Sequence, residues 1–190
     1  MITLEEPFSI GPDCFYPKDS GQWRSWLMEN GSHFRGIWLI VPKKSSGLPG
    51  ITYLQALEEA LCFGWIDGIA KGRGPLLMSH RMSPRARNSS WSEVNKQHVR
   101  LLIAAGKMAP SGMAVLPDLD PTSYRPAEDI LAALRQDPTV WENFCAFPIY
   151  YRNIRLAAID RLRSSQEHFD RALAYFIGQT KKNRRYGRFR

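Results

Sequence analysis

The segment RMSPRARNSSWSEVNK, residues 81–96, joins a basic loop to the start of a predicted helix. Its first half carries three arginines, Arg81, Arg85 and Arg87. A serine can cap a helix, and Glu93 stands three residues after Ser90, which is the spacing of a capping box. Because the first backbone N–H groups of a helix have no partner inside the helix, the segment predicts an anion-binding site.

Two short apolar runs precede this segment and predict a β-hairpin. A Gly-rich connection, Gly72–Pro75, separates the runs Trp65–Lys71 and Leu76–Met82. Asp67 lies in the first strand, where a carboxylate among apolar residues needs a partner. Arg81 on the returning strand is the predicted partner, in a structural ion pair. A role for Asp67 as acid, base or ligand acceptor stays open, as does titration of His80 near neutral pH.

The rest of the chain predicts an α+β fold, with a small antiparallel sheet, packed helices and a C-terminal helical region. An amphipathic helix is expected over residues 20–30 with Ser20 as its N-cap, and a strand over residues 35–41. Thr52 opens a second helix through a capping box with Gln55. Helical periodicity then predicts helices over residues 127–136, 138–147, 151–163 and 165–178. The predicted organisation is an N-terminal arm (1–19), an α+β core (20–116), a linker (117–126), a helical region (127–180) and a mobile basic tail (181–190).

Composition and charge limit the classes of protein that remain. The chain has 190 residues and a formal net charge of +8, and its last ten residues hold six Lys or Arg and no acid. Such basic regions favour anionic partners. Three widely spaced cysteines predict a reducing compartment, with no metal site. Neither a secretory signal nor a membrane span is visible, so the expected protein is cytoplasmic, without a cofactor and of open oligomeric state.

Four segments resemble the YdeI/OmpD-associated family, also called bacteriocin-protection proteins. They are Glu58–Gly68, Arg81–Arg85, Ser89–Lys96 and Leu102–Met108. The resemblance implies a YdeI-like α+β core, bacterial origin, and a link to stress resistance or to protection against bacteriocins and cationic antimicrobial peptides. It implies no established reaction or cofactor. The short Gly72–Pro75 connection departs from the family pattern, which leaves the strand register open.

Together the hairpin and the following helix predict a pocket for an anionic small molecule. The helix N-terminus and the guanidinium groups would bind the anion, and tryptophan rings would face the rest of the ligand. The predicted ligand-binding residues are Trp65, Asp67, Arg81, Arg85, Ser89, Ser90, Trp91, Asn95 and Lys96. An equally weighted alternative is that the arginines only satisfy Asp67 and backbone carbonyls.

Two other classes of function remain open from the sequence. A nucleic-acid-binding protein could use the basic loop and the tail residues Lys181, Lys182, Arg184, Arg185 and Arg188, although a polybasic terminus is more often only solvated. An enzyme could use Asp67 as acid or base, with His80 as a further catalytic candidate. However, the sequence shows no nucleophile and base at a characteristic spacing, no phosphate-binding glycine loop and no metal motif.

Overall fold

The computed structural model describes residues 13–86, 89–187 and 189, and the chain divides into two compact units. The first unit contains the described residues up to Ser89 together with His98–Leu116. The second contains Ser90–Gln97 and the described residues from Pro117 onward. The architecture is α+β, with one sheet and its helices followed by a helical C-terminal region, which confirms the predicted fold class. No helix among these residues is both long and apolar enough to cross a membrane.

A four-stranded sheet forms the centre of the first unit. Its strands are β1 (Cys14–Phe15), β2 (Ile37–Pro42), β3 (Trp65–Arg73) and β4 (Leu77–Pro84), in the spatial order β1-β2-β4-β3. All neighbours are antiparallel except β1 and β2, which run parallel. β1 lies in the segment predicted to be an irregular arm. The predicted hairpin forms, but β4 also pairs with β2.

Side-chain alternation gives the sheet two different faces. The helix face carries the buried residues Leu39 and Met82, and it packs against α1 (Ser20–Asn30) and α2 (Tyr53–Cys62). The core of this face consists of buried apolar side chains, including Trp23, Leu27, Ile37, Leu39, Val41, Ala56, Ala60, Trp65 and Met82. The open face carries Trp38 and Arg81, which are register partners and point away from the helix face.

Capping interactions explain where the first two helices begin. The Asp19 carboxylate accepts a hydrogen bond from the Gln22 backbone N–H at 2.8 Å, so Asp19, and not the predicted Ser20, caps α1. The predicted capping box of α2 is confirmed, because Thr52 Oγ1 accepts from the Gln55 N–H and Gln55 Oε1 accepts from the Thr52 N–H.

The third and fourth helices are α3 (Glu93–Ala104) and α4 (Pro110–Met113). α3 begins three residues later than the predicted start at Ser90. Its first turn is capped by Ser92, whose hydroxyl accepts from the Asn95 backbone N–H at 3.2 Å. The predicted Ser90–Glu93 capping box therefore does not define the start of this helix.

Four helices make up most of the second unit. They are α5 (Glu128–Arg135), α6 (Pro138–Ala146), α7 (Ile149–Asp160) and α8 (Gln166–Lys181), each within a few residues of a predicted helix. Their apolar faces enclose a core of Ile130, Leu134, Val140, Phe144, Phe147, Tyr151, Leu156, Ile159, Phe169 and Phe176.

Hydrogen bonds and packing contacts continue beyond α8. Asn183 adopts a left-handed conformation, and its N–H donates to the Thr180 carbonyl while the Arg184 N–H donates to the Gln179 carbonyl. These two bonds form a Schellman motif that closes the helix. The Tyr186 ring then packs on the helical core, and its backbone N–H donates to Tyr151 Oη at 3.1 Å. The structure therefore gives contacts to residues 183, 184 and 186 of the predicted tail; its mobility stays a prediction, and Arg188 lies outside the described residues.

Candidate functional site

The predicted ion pair between Asp67 and Arg81 does not form. Asp67 pairs with Met82 in the β3–β4 register, which places its side chain on the helix face. Arg81 is the neighbour of Met82 in β4, so its side chain lies on the open face. The two charged groups are on opposite sides of the sheet. Asp67 instead accepts a hydrogen bond from the Tyr53 hydroxyl, with 2.6 Å between Oη and Oδ2.

Tyr53 brings together the two residues that were considered for catalysis. Its ring centroid lies 4.8 Å from that of His80, and its hydroxyl binds Asp67. Burial lowers the pKa of His80, and the nearby Asp67 charge opposes this effect. His80 is therefore mainly neutral at neutral pH. Sequence reasoning missed Tyr53, whose only signal was its position as the first residue of α2.

Arg85 is a buried part of the first unit. It is 8% exposed, and its backbone N–H donates to the Gly64 carbonyl at 2.9 Å. Burial lowers the pKa of its guanidinium group to about 10, and the charge of Asp67 opposes the shift. Its Nη1 donates to Ser89 Oγ at 3.4 Å. These contacts agree with the structural alternative for Arg85, in which it satisfies neighbouring groups of the fold.

The remaining predicted ligand residues belong to the second unit, namely Ser90, Trp91, Asn95 and Lys96. Lys96 Nζ lies 2.8 Å from Glu93 Oε1 in an ion pair within α3. The Asn95 backbone N–H is used in the helix cap formed by Ser92. The predicted set is therefore divided between the two units, and Arg87 lies outside the described residues.

A pocket of about 550 Å³ lies within the first unit. α1, the start of β3, and the segment around α4 supply its walls. The walls are mainly apolar, and the lining residues are Arg24, Leu27, Met28, Gly31, Ser32, Phe63, Trp65, Met108, Ala109, Pro110 and Ser111. Its size falls in the range of about 300 to 1,000 Å³ that is common for small-molecule sites.

Trp65 is the lining residue with the most distinctive polar group. Its side chain is 2% exposed and packs edge-on against Trp23 and Trp26. Among the described residues, no acceptor binds its indole N–H. Nε1 lies 3.4 Å from the position that a Cβ on Gly31 would occupy, so the glycine leaves room beside the indole nitrogen. The indole N–H of a largely buried tryptophan usually has a hydrogen-bond partner, and a ligand in this pocket could supply one.

Arg24 supplies the charged wall of the pocket. Its Nη1 lies 2.8 Å from Glu59 Oε2, its Nη2 donates to the Lys107 carbonyl at 2.8 Å, and its guanidinium lies over the Phe63 ring. The hydrogen bond to Glu59 raises the pKa of Arg24, so the guanidinium stays charged. Arg24 therefore brings a positive charge to the pocket wall, and Glu59 partly balances it.

The wall formed by α4 is held against the end of α2. The Ala109 N–H donates to the Cys62 carbonyl at 2.9 Å. A Cβ on Gly112 would lie only 2.1 Å from the same carbonyl oxygen, so only glycine fits at this approach. Burial raises the pKa of Cys62, and this side chain is fully buried, which disfavours a role as nucleophile.

Of the predicted ligand residues, only Trp65 lines this pocket. The other lining residues come from three separate parts of the chain. Phe63 and Met108 lie in two of the YdeI-like segments, but no local spacing indicates that these parts line one pocket. Within residues 13–86, 89–187 and 189, no group of three or more His, Cys, Asp or Glu side chains could hold a metal ion.

A family model described as a domain of unknown function (DUF8412) matches residues 15–115, more than half of the chain. The matched range contains all the pocket-lining residues. No curated protein and no solved structure matches the chain. The resemblance to the YdeI/OmpD-associated family stays a prediction.

Proposed function

We propose that this chain, which belongs to the DUF8412 family, is a ligand-binding protein whose first unit holds a small anionic organic molecule. The observation that supports this proposal most strongly is the indole N–H of Trp65, which has no acceptor among the described residues and lies in the wall of a pocket large enough for a small molecule. The ligand would replace the missing acceptor.

The chemistry of the walls indicates the kind of ligand. Phe63, Trp65 and Met108 offer aromatic and thioether surface to a flat apolar body. Ser111 and the indole of Trp65 provide hydrogen-bonding groups at the walls. The guanidinium of Arg24 in the pocket wall favours a carboxylate over a neutral or cationic group. The anionic-ligand hypothesis is thus kept, and its location moves from the loop of Arg81 and Arg85 to this pocket.

The YdeI-like segments led us to expect a role in protection against antimicrobial peptides. In this proposal that role requires the bound small molecule. Direct neutralisation of a cationic peptide is disfavoured for a protein with a net charge of +8. In this proposal the protein acts indirectly, by binding a small molecule during stress.

The proposal can be tested by titrating the full chain with phenylacetate, indole-3-acetate and octanoate, and with phenylacetamide as the neutral comparison. Thermal shift and isothermal calorimetry would measure binding. We expect at least one carboxylate to bind more tightly than the amide. Trp65→Phe keeps an aromatic side chain but removes the pyrrole ring with its N–H, so it should weaken binding at least about fivefold, as expected for the loss of one hydrogen bond. The matched control is Trp26→Phe, because Trp26 packs on Trp65 but does not line the pocket.

A second pair of variants tests the charge preference. Met28 lines the pocket and Met113 does not, and both are exposed, at 67% and 47%. Met28→Glu should weaken binding of the carboxylates about fivefold through repulsion at short range, whereas Met113→Glu should leave it unchanged. The proposal fails if no probe binds the wild-type protein, or if both members of each pair behave alike.

A further inference from the structure

A second surface of the first unit lies on the open face of the sheet. The register pairs Trp38 with Arg81 and Ser79 with Lys71, and these side chains share one face because Ser79 and Arg81 are two residues apart in β4. Lys71 Nζ lies 5.0 Å and Arg81 Cζ lies 5.9 Å from the Trp38 ring centroid. The face therefore presents one tryptophan ring with two cations beside it.

The positive charges on this face have no acidic partner in the part of the chain that the structure describes. Among the described residues, no carboxylate lies within 4.0 Å of Lys71, Arg73 or Arg81. Arg24, by contrast, is paired with Glu59. The only acidic residue in the four strands is Asp67, which lies on the helix face. Three unpaired positive charges on one face form an attractive surface for a polyanion.

The shape of the sheet restricts the kind of polyanion. Arg73 belongs to the edge strand β3, yet its Nη2 lies 3.1 Å from Cys14 Sγ on β1, the other edge strand. The two edges can meet in this way only if the sheet curls toward its open face. A concave face fits a flexible chain better than the flat surface of a membrane, and its tryptophan can stack on an unpaired base.

We propose that the concave open face, formed by Trp38, Lys71, Arg73 and Arg81, binds single-stranded nucleic acid, with the cations on phosphates and the Trp38 ring against a base. Such a site combines a basic groove with an aromatic platform, the usual composition of single-strand binding surfaces. It is separate from the proposed pocket, whose lining residues do not include any of these four.

The basic C-terminal segment is a weaker candidate for the same partner. Lys181 is paired with Asp137 at 2.8 Å. Lys182 and Arg184 stand at the C-terminal end of α8, where positive charges complement the helix dipole. Their positive charges therefore have a favourable partner in the helix end, whereas the cations of the open face contact the Trp38 ring and Cys14 and have no acidic partner among the described residues.

The test is fluorescence anisotropy of the full chain with labelled oligothymidine and oligouridine of about twelve nucleotides. Binding should occur at low salt and should weaken steeply between about 50 and 200 mM salt. The double variant Lys71→Gln/Arg81→Gln should lose at least about tenfold in affinity. The slope of log affinity against log salt concentration should become shallower by about 1.4, which is about 0.7 for each lost phosphate contact. The charge-matched control Lys182→Gln/Arg184→Gln should change affinity by less than about twofold.

A third variant tests the aromatic contact. Trp38→Leu should lower affinity at least about fivefold and flatten the preference for single strands over a duplex of the same sequence. Circular dichroism would verify that each variant is folded. The single variant Lys71→Gln changes only an exposed side chain, so it tests the charge without a change in the core. Loss of binding in the C-terminal variant but not in the open-face variant would overturn the proposal. So would an absence of binding at low salt, or binding only to phosphatidylserine vesicles.

Discussion

Replacing Gly112 with alanine should destabilise the first unit and distort its pocket. Gly112 is buried in α4, where a Cβ would lie 2.1 Å from the Cys62 carbonyl oxygen and 2.7 Å from the Cys62 carbonyl carbon. Both neighbours are backbone atoms, so no side-chain rotation can remove the clash. α4 must move away from the end of α2, or the end of α2 must move.

The structure gives the size of this movement and of its energetic cost. Raising the Cβ to oxygen distance from 2.1 Å to at least 3.0 Å requires a displacement of about 0.9 Å. The same displacement lengthens the hydrogen bond from the Ala109 N–H to the Cys62 carbonyl, now 2.9 Å. Losing one such bond costs about 1 kcal/mol, and relieving an overpacked contact costs about 1 to 3 kcal/mol. We therefore expect the free energy of unfolding to fall by about 2 to 4 kcal/mol.

Urea denaturation followed by tryptophan fluorescence would measure the change, because four of the six tryptophans lie in the first unit. The control is Gly72→Ala in the same unit, since a Cβ there meets nothing within 4 Å. This control should be neutral or stabilise by up to about 1 kcal/mol, because alanine loses less backbone entropy on folding. Equal stability of Gly112→Ala and wild type would refute the close approach of α4 to Cys62. Equal destabilisation by both substitutions would show that contact with Cys62 is not the cause.

Two further predictions concern His80 and Tyr186. Burial lowers the pKa of His80 in the folded protein below the ordinary histidine value of about 6.5. When the pH drops below about 6.5, His80 therefore takes up a proton in the unfolded chain before it does so in the folded protein. The free energy of unfolding falls with pH for this reason. Denaturation at pH 7.5 and 5.5 should show a smaller loss for His80→Gln than for wild type, and an equal loss would contradict the assignment. Tyr186→Ala removes a half-buried ring from the helical core, so calorimetry should show the second unit destabilised by about 2 kcal/mol, less than for a fully buried aromatic ring. An unchanged melting temperature would mean that the segment after α8 contributes nothing to stability.

Local signals in the sequence were sufficient for much of the fold. The capping box of Thr52 and Gln55 was predicted at the right residues because it depends only on a spacing of three along the chain. The helices of the second unit were also found within a few residues, since their apolar periodicity is strong and local. The type of each element was easier to predict than its first residue. Asp19 and Ser92 cap α1 and α3 in place of the predicted Ser20 and Ser90.

Contacts across the sheet could not be obtained in the same way. Asp67 and Arg81 are close in a hairpin drawn from the sequence, but one position of register decides whether two side chains share a face. An irregularity between Asp67 and Ala70 further changes the pairing of β3 with β4. Tyr53, the actual partner of Asp67, comes from a helix packed on the sheet and is invisible to local spacing.

The candidate pocket was beyond prediction for a related reason. Trp65 was identified as a ligand wall, but Arg24, Met28 and Ser111 approach it only after α1 and α4 have packed. Gly31 contributes by having no side chain beside the indole nitrogen. Sequence patterns report which residues a helix buries, whereas a pocket depends on where packing leaves space.

The position of β3 at the edge of the sheet affects how the protein behaves at high concentration. An edge strand of nine residues offers unpaired backbone groups to another molecule, and Ile69 is 66% exposed on it. The irregularity between Asp67 and Ala70 interrupts the straight ladder that such a neighbour would need, and Lys71 adds a charge that two copies cannot easily bring together. β3 therefore disfavours pairing of this edge with a strand of another molecule. This protects the protein from aggregation through the β3 edge.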